Sequence, residues 1–257
     1  MKIKGLLHEY ILFDIQERKS KYFLAKARDE SGNSYFVKYA DLTYKDIALF
    51  YREANVLNYL KQDYFVEFLK NENYIFLILK EIQGIPLQKI RFSSMKEKLE
   101  LFIRVIDAVD ELHKKNLVHL DLKPSNILIE NGKVTIIDFS TARLLSEKEI
   151  PRFYTLPYAA PEILRKEGYD VSSDIYSLGV IFFELVTGQS LFAKMSKVEI
   201  RKKKMVGIDK KITQFKKVDR DFDYIFMRCT FLDRKMRYET TLKLKDDIQK
   251  LINYIKE

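Results

Sequence analysis

The apolar pattern of this 257-residue chain changes period near Gly84-Ile85-Pro86-Leu87, and that change restricts the folds open to it. Before it, short apolar runs alternate with turn signals. Tyr10–Ile15 and Tyr22–Ala27 are two such runs, and Ser34–Tyr39 follows the turn-forming Glu30-Ser31-Gly32-Asn33. Phe65–Leu69 and Tyr74–Leu79 are separated by the polar Lys70-Asn71-Glu72-Asn73, which fits a hairpin. One helix is expected among them, Asp46–Lys61, with Ile47, Phe50, Ala54, Leu57 and Leu60 at helical spacing. After the change the chain reads as helices. Lys96–Lys114 places Leu99, Phe102, Ile103, Ile106, Val109 and Leu112 on one face. Ser173–Thr187 is apolar almost all round and predicts a buried central helix, while Phe222–Phe231 and Leu244–Lys256 read as amphipathic helices. Strands and helices that segregate along a chain predict an α+β architecture. The expected division is a strand-rich part at about 1–80, a connector at about 80–86 and a larger helical part at about 87–257. A ligand is expected in a cleft between the two.

Composition narrows the class further. With 47% hydrophobic residues, 18 Phe and 16 Tyr, the chain can bury a sizeable core, which argues against disorder. Its one cysteine, Cys229, excludes an internal disulfide and a thiolate zinc centre, so it is expected as a small buried hydrophobe. Neither a signal-peptide pattern at Met1–Glu9 nor a run of the roughly 18 apolar residues needed to span a membrane is present. A soluble, cytoplasmic protein is therefore expected. The formal charge is +9, and basic residues gather in Lys194–Lys217, including Arg201-Lys202-Lys203-Lys204 and Lys210-Lys211. Such a segment could attract acidic proteins, nucleic acid or anionic lipid; a solvated helix face is the plainer reading. Without interleaved aromatics or a matching motif, nucleic acid is not expected.

Chemistry concentrates in His119-Leu120-Asp121-Leu122-Lys123-Pro124-Ser125-Asn126, followed by the strand-like Ile127-Leu128-Ile129. A second strand, Lys133–Ile137, ends in Asp138-Phe139-Ser140. Two short strands would thus deliver Asp121, Lys123, Asn126 and Asp138 to one small region. Carboxylate and amide oxygens suit a magnesium ion whose remaining shell is phosphate and water. A nearby carboxylate can orient an attacking hydroxyl and accept its proton.

This stretch resembles the catalytic loop and metal-binding motif of the protein kinases, serine/threonine branch, and the resemblance extends over almost the whole chain. It implies a two-lobed protein-kinase-like α+β fold, with a small antiparallel sheet and one helix in the N-lobe and a larger, mainly helical C-lobe. ATP and Mg2+ are implied as cofactors, and a protein hydroxyl as acceptor, with acidic substrates suggested by the basic segment. The likeness makes Asp121 the catalytic base, Lys123 the residue that steadies the transferred phosphoryl, and Asn126 and Asp138 the magnesium ligands. Lys38, in Tyr35-Phe36-Val37-Lys38, matches the lysine that grips the α- and β-phosphates, and Glu53 its ion-pair partner. Asp174 resembles the buried aspartate that braces the catalytic loop, and Glu162, in Ala160-Pro161-Glu162, resembles the ion-pair partner of Arg237. Lys123 and Thr155 favour serine/threonine over tyrosine transfer, with the Thr155 hydroxyl expected to bridge Asp121 and Lys123. For the nucleotide, the likeness points to backbone groups of Glu81 and Ile82 at the adenine edge, Leu79 at the rear wall, and Leu128 and Phe23 on the two ring faces.

Four departures from the family pattern stand out. Ile15–Phe23 lacks every glycine of a phosphate-cradling loop, which implies weaker cradling or side-chain charge from Arg18, Lys19 or Lys21 in its place. Phe36 replaces a small residue beside the adenine and either narrows the nucleotide pocket or turns into the core. Ser140 replaces a glycine after Asp138-Phe139, which implies a less flexible backbone there. Leu120 replaces the arginine that normally clamps a loop phosphate, so activity is expected not to depend on phosphorylation between Ser140 and Thr155. The alternative is a pseudokinase that binds nucleotide or acts as a scaffold; a small-molecule phosphotransferase fits less well, given Ala160-Pro161-Glu162 and Asp174. Oligomeric state is not legible.

Overall fold

The computed structural model describes residues 1–18 and 22–255. The chain forms two compact units, Met1–Gln83 with Asp138–Ser140, and Gly84–Ile137 with Thr141–Glu257.

The first unit is an antiparallel sheet with one helix. Its strands are β1 (Lys2–Lys4), β2 (Glu9–Glu17), β3 (Tyr22–Arg28), β4 (Ser34–Asp41), β5 (Phe65–Lys70) and β6 (Tyr74–Lys80), in the spatial order β1-β2-β3-β4-β6-β5. Between β4 and β5 runs α1 (Ala48–Leu60). Side chains alternate between the two faces of a strand. On β4, Tyr35, Val37 and Tyr39 enter a core with Tyr10, Leu12, Ala25, Ala27, Phe76 and Ile78. Phe36 and Lys38 therefore occupy the other face. The β3–β4 turn is closed by Asp29, whose carboxylate accepts from Ser31 N, Asn33 N and Asn33 Nδ2 at 2.8–2.9 Å. The Asn33 bonds are the main reason that its pKa falls to about 2. Helix α1 begins at Ala48, two residues later than its apolar spacing suggests, and no side chain caps it at Ile47. It ends where Lys61 turns left-handed, with φ 53°.

The second unit holds six helices among the described residues: α2 (Met95–Lys114), α3 (Pro161–Arg165), α4 (Val171–Thr187), α5 (Lys197–Val206), α6 (Asp221–Thr230) and α7 (Thr241–Tyr254). Two small ribbons accompany them. In one, β7 (Ile85–Pro86) pairs with β9 (Ile127–Glu130), which pairs with β10 (Lys133–Ile136). In the other, β8 (Leu117–Val118) pairs with β11 (Arg143–Leu144). The strands β1 and β7 and the short helix α3 are too brief for periodicity to reveal, and α5 is masked by its charges.

Helix α4 is the axis of this unit, as its nearly continuous apolar sequence predicts: fourteen of its residues, from Ser172 to Val186, are buried. The Asp170 carboxylate caps its start through Ser172 N at 2.8 Å, and Gly188 ends it with φ 72°. Its Gly179 faces α6 so closely that an added Cβ would lie 2.3 Å from Cys229 Cβ and 2.9 Å from Thr230 Cγ2. Cys229 is fully buried at this crossing, and burial pushes its thiol pKa up, so it packs as a small hydrophobe. Replacing Gly179 with Ala is expected to force α4 and α6 apart and cost about 1–3 kcal/mol, as overpacking generally does. Urea titration followed by circular dichroism measures this; an unchanged midpoint would show that the crossing tolerates the methyl.

Candidate active site

Two side-chain clusters carry the residues singled out by the sequence, one in each unit. In the first unit, β4 presents Lys38 and α1 presents the buried Glu53. Lys38 Nζ lies 2.8 and 3.0 Å from the two Glu53 oxygens and 3.2 Å from Asp138 Oδ1. Burial works against the Lys38 ammonium, yet the Asp138 and Glu53 carboxylates more than offset it and raise its pKa. Lys38 thus stays charged. Asp138 carries the left-handed backbone at this corner, with φ 67°, and Ser140 does not. That distribution explains how a serine is accommodated after Phe139. The Ser140 hydroxyl donates to Asp138 Oδ1 at 3.0 Å and so helps to hold the carboxylate.

Strand register decides which neighbours share the Lys38 face. Leu24 sits opposite Lys38, and Phe36 sits opposite Lys26 on one side and Leu79 on the other. Phe36 is half-buried on this face, so it does not turn into the Tyr35–Val37 core. Phe23 requires a correction. It stacks on Tyr39, with ring centroids 4.8 Å apart, and packs against the opposite core. A one-residue step along a strand flips the face, and the position beside Lys38 belongs to Leu24. Glu81 has its N–H and its side chain engaged. Its N–H donates to Ser34 O at 3.2 Å and its carboxylate accepts from Lys26 Nζ at 2.9 Å, so its backbone donor is already engaged. Ile82, half-buried, follows it. At the β2 end, Arg18 N donates to Tyr22 O and its guanidinium to Gln16 Oε1; Lys19 and Lys21 lie outside the described residues.

In the second unit, the segment after β8 is held by Asp174 of α4. This fully buried carboxylate accepts from His119 N at 2.8 Å and Leu120 N at 2.9 Å, and lies 3.0 Å from His113 Nε2. Burial opposes ionisation of Asp174, but the His113 hydrogen bond and the two neighbouring imidazoles keep its pKa below the usual value. The brace holds Leu120 in a left-handed conformation, φ 66°. His119 Nε2 lies 3.1 Å from Ile137 O, while Nδ1 accepts from Asp121 N at 3.3 Å.

Asp121 is consequently presented with both oxygens engaged. Lys123 Nζ donates to Oδ2 at 2.6 Å, and Thr155 N donates to Oδ1 at 2.7 Å. Lys123 also reaches Thr155 Oγ1 at 2.9 Å. Thr155 therefore bridges the pair through both its hydroxyl and its main-chain N–H, whereas sequence reasoning had given the whole role to the hydroxyl. The Asn126 amide nitrogen donates to Asp121 O at 3.1 Å, which orients its carbonyl oxygen. Leu128 lies in β9, half-buried, opposite Pro86 and Thr135. Among the described residues, no group of three or more His, Cys, Asp or Glu could hold a metal. The oxygens of Asn126 and Asp138 are nonetheless hard donors of the kind magnesium accepts alongside phosphate and water.

The segment leading to Thr155 is held by bonds that sequence reasoning missed. Arg143 is buried and donates to Thr141 O, Ala142 O and Glu149 O, and the Tyr169 hydroxyl lies 2.9 and 2.7 Å from Leu144 O and Glu147 O. Beyond Thr155, Tyr158 donates to Glu184 Oε2 at 2.7 Å. Lys204, in the lysine-rich segment, is fully buried and donates to Ala159 O at 2.7 Å and Tyr176 OH at 3.1 Å. Burial, with Arg237 nearby, pulls its pKa well down. Lysine and arginine usually lie at the surface, so only the tertiary partners reveal these roles.

A family model described as the protein kinase domain matches residues 22–252. Among curated proteins, the chain is similar to the probable serine/threonine-protein kinase PknB of Lactococcus lactis, 29% identical over 215 residues that make up 79% of this chain and 34% of that protein. It is similar to the serine/threonine-protein kinase PrkC of Bacillus subtilis, 28% identical over 190 residues, 70% of this chain and 29% of that protein. The ribosomal protein S6 kinase alpha-4 of Mus musculus is 38% identical over 140 residues, 49% of this chain and 18% of that protein. The chain thus spans about a third or less of the length of these relatives.

Arg237 and Glu162 form a buried bidentate pair at 2.8 Å for both contacts, which Ser173 Oγ, Ser172 O and Phe231 O complete. Burial disfavours the Glu162 charge, but Arg237 outweighs it and lowers the pKa from 4.5. A carboxylate with a depressed folded pKa contributes stability above its unfolded pKa and loses it as pH falls below. Breaking the pair by Arg237→Met is expected to cost about 3–5 kcal/mol at pH 7. For Glu162→Gln, the deficit relative to wild type should shrink as pH falls below about 4.5, because there the unfolded chain takes up a proton that the native, Arg237-paired carboxylate resists. Thermal melts across that range check both; a pH-independent deficit would show that the charge contributes nothing.

Proposed function

Because this chain belongs to the protein kinase family, we propose that it transfers the γ-phosphoryl group of ATP to serine and threonine hydroxyls of proteins. The observation that carries this reading is Lys123 Nζ, bonded at once to Asp121 and Thr155 at 2.6 and 2.9 Å. In this reading Asp121 accepts a hydrogen bond from the acceptor hydroxyl and takes its proton as the new O–P bond forms. The bond to the β–γ bridging oxygen breaks and ADP leaves. Lys123 meets the transferred phosphoryl, and the Thr155 hydroxyl steers the Lys123 ammonium. Lys38, aimed by Glu53, serves the α- and β-phosphates. Asn126 and Asp138 supply oxygens to Mg2+, which when bound neutralises phosphate charge. Phe36, Leu24, Leu79 and Leu128 serve the adenine ring, and Ile82 its edge.

The rival reading, a nucleotide-binding or scaffolding module, rests on the glycine-free stretch Gln16–Lys21. Transfer depends chiefly on positioning and charge, and short hydrogen bonds fix the charged groups of both clusters. That favours an enzyme. Constitutive order of the segment before Thr155 accompanies this reading. Leu120 is buried where a phosphate clamp would stand, and Arg143 spends its guanidinium on main-chain carbonyls. No helix among the described residues is long and apolar enough to cross a membrane. A cytoplasmic site of action, where ATP is plentiful, follows from the same reading.

With labelled ATP, magnesium and a general protein acceptor, Asp121→Asn is expected to lower the rate about 10²–10⁴-fold while nucleotide binding persists. Lys38→Met should instead weaken ATP binding. Phosphatase treatment of the wild type should leave the rate within about twofold, since the phosphate clamp is absent. Transfer by neither wild type nor variant, with nucleotide still bound, would favour the scaffolding module. Activity abolished by phosphatase would overturn the constitutive segment.

A further inference from the structure

Helix α5 combines a buried anchor with an unpaired basic face. Lys197-Val198-Glu199-Ile200-Arg201-Lys202-Lys203-Lys204-Met205-Val206 turns Ile200 and Lys204 inward, four residues apart, at 6% and 0% exposure. The Lys204 ammonium lies 4.4 Å from the centroid of the Tyr176 ring and 5.0 Å from that of Phe192, besides its bond to Ala159 O. Arg165 of α3 adds a bond to Met205 O at 3.1 Å. These contacts pin α5 to the main chain that follows Thr155.

A further contact reaches the residue before Thr155. Arg201 Nη2 donates to Tyr154 OH at 3.2 Å, and its guanidinium lies 5.9 Å from that ring centroid. Tyr154 is next to Thr155, whose N–H is bonded to Asp121. The basic face is therefore tied, through one residue, to the partner of the carboxylate assigned as catalytic base. Among the exposed residues of α5, Lys197 and Arg201, four apart, share one flank, while Val198 and Lys202 lie further round the helix. Nearby acids are already engaged: Glu199 closes the capping box with Ser196, and Asp209 pairs with Lys203. No carboxylate among the described residues pairs with Lys197, Arg201 or Lys202.

We propose that this face of α5 docks an acidic stretch of the protein substrate next to its acceptor hydroxyl, an inference that rests on the kinase reading above. Ten helical residues span about 15 Å, which four or five residues of extended peptide cover at about 3.3 Å each. Carboxylates along such a peptide meet Arg201 and Lys202, with Lys197 on the N-terminal flank, and its aliphatic parts meet Val198, which lies between Arg201 and Lys202 around the helix. The +9 charge of the chain steers acidic partners towards it. Nucleic acid fits less well, because the exposed side of the helix offers no aromatic platform for bases.

The test uses the full chain and fluorescent peptides with one threonine, carrying four glutamates on its N-terminal or its C-terminal side, or glutamines in the same places. Anisotropy should show one of the two glutamate peptides bound about tenfold tighter than its glutamine analogue at low salt. The preference should shrink to about twofold in 0.5 M salt. Arg201→Gln/Lys202→Gln should bring the two within about twofold, and in transfer assays raise KM for the glutamate peptide about five- to tenfold with kcat nearly constant. Removing the same charge from α7, by Lys243→Gln/Lys250→Gln, should leave the preference intact. Equal binding of glutamate and glutamine peptides by the wild type would overturn the proposal, as would tighter retention on RNA or on phosphatidylserine vesicles than on either glutamate peptide. A glutamate preference that depends on Arg201 and Lys202, with no transfer to any peptide, would support the docking face and sink the kinase reading.

Discussion

The second unit depends on one buried carboxylate. Asp174, fully inside the protein, would cost several kcal/mol as a bare charge. It is tolerated because His119 N, Leu120 N and His113 Nε2 surround it. Those bonds run in both directions. They satisfy the charge, and they hold Leu120 in a left-handed backbone that a branched-chain residue would otherwise avoid. Asp121 takes its bearing from that turn. The helix that carries Asp174 is the unit's axis, and five residues later the same helix offers Gly179 to Cys229. Packing and site geometry are thus set by one element.

The first unit is organised by a different constraint, the alternation of strand faces. Tyr35, Val37 and Tyr39 anchor β4 in an aromatic core, which leaves Lys38 on the opposite face with Glu53 and Asp138. A lysine flanked by two carboxylates stays charged despite its burial, because their attraction exceeds the loss of hydration. Asp138 rather than Ser140 carries the left-handed backbone there, and the serine adds a hydroxyl bond to the Asp138 carboxylate that a glycine could not make.

Basic side chains are used in three ways along the chain. Arg237 neutralises a buried carboxylate, Arg143 ties together main-chain carbonyls, and Lys204 pins a helix under the segment that follows Thr155. Arg237 and Lys204 join stretches 75 and 45 residues apart, whereas the Arg143 bonds close a local turn within six residues. The remaining lysines and arginines of α5 face outward and give that helix its charge.

The periodicity of the sequence by itself determined the order and kind of the major elements, because burial of one helix face or strand face is encoded over a few residues. The set Lys38, Glu53, Asp121, Lys123, Asn126, Asp138 and Thr155 is singled out by its resemblance to the protein-kinase motifs rather than by periodicity. Tertiary structure decided what local pattern cannot express. Register placed Leu24, rather than Phe23, on the Lys38 face, since a single-residue offset reverses every side chain of a strand. The Ser34 carbonyl took up the Glu81 N–H. Lys204 left the surface because its carbonyl partner, 45 residues away in the chain, came within hydrogen-bond reach. A long charged side chain has no periodic signature of burial; its environment is set by the segments that fold against it.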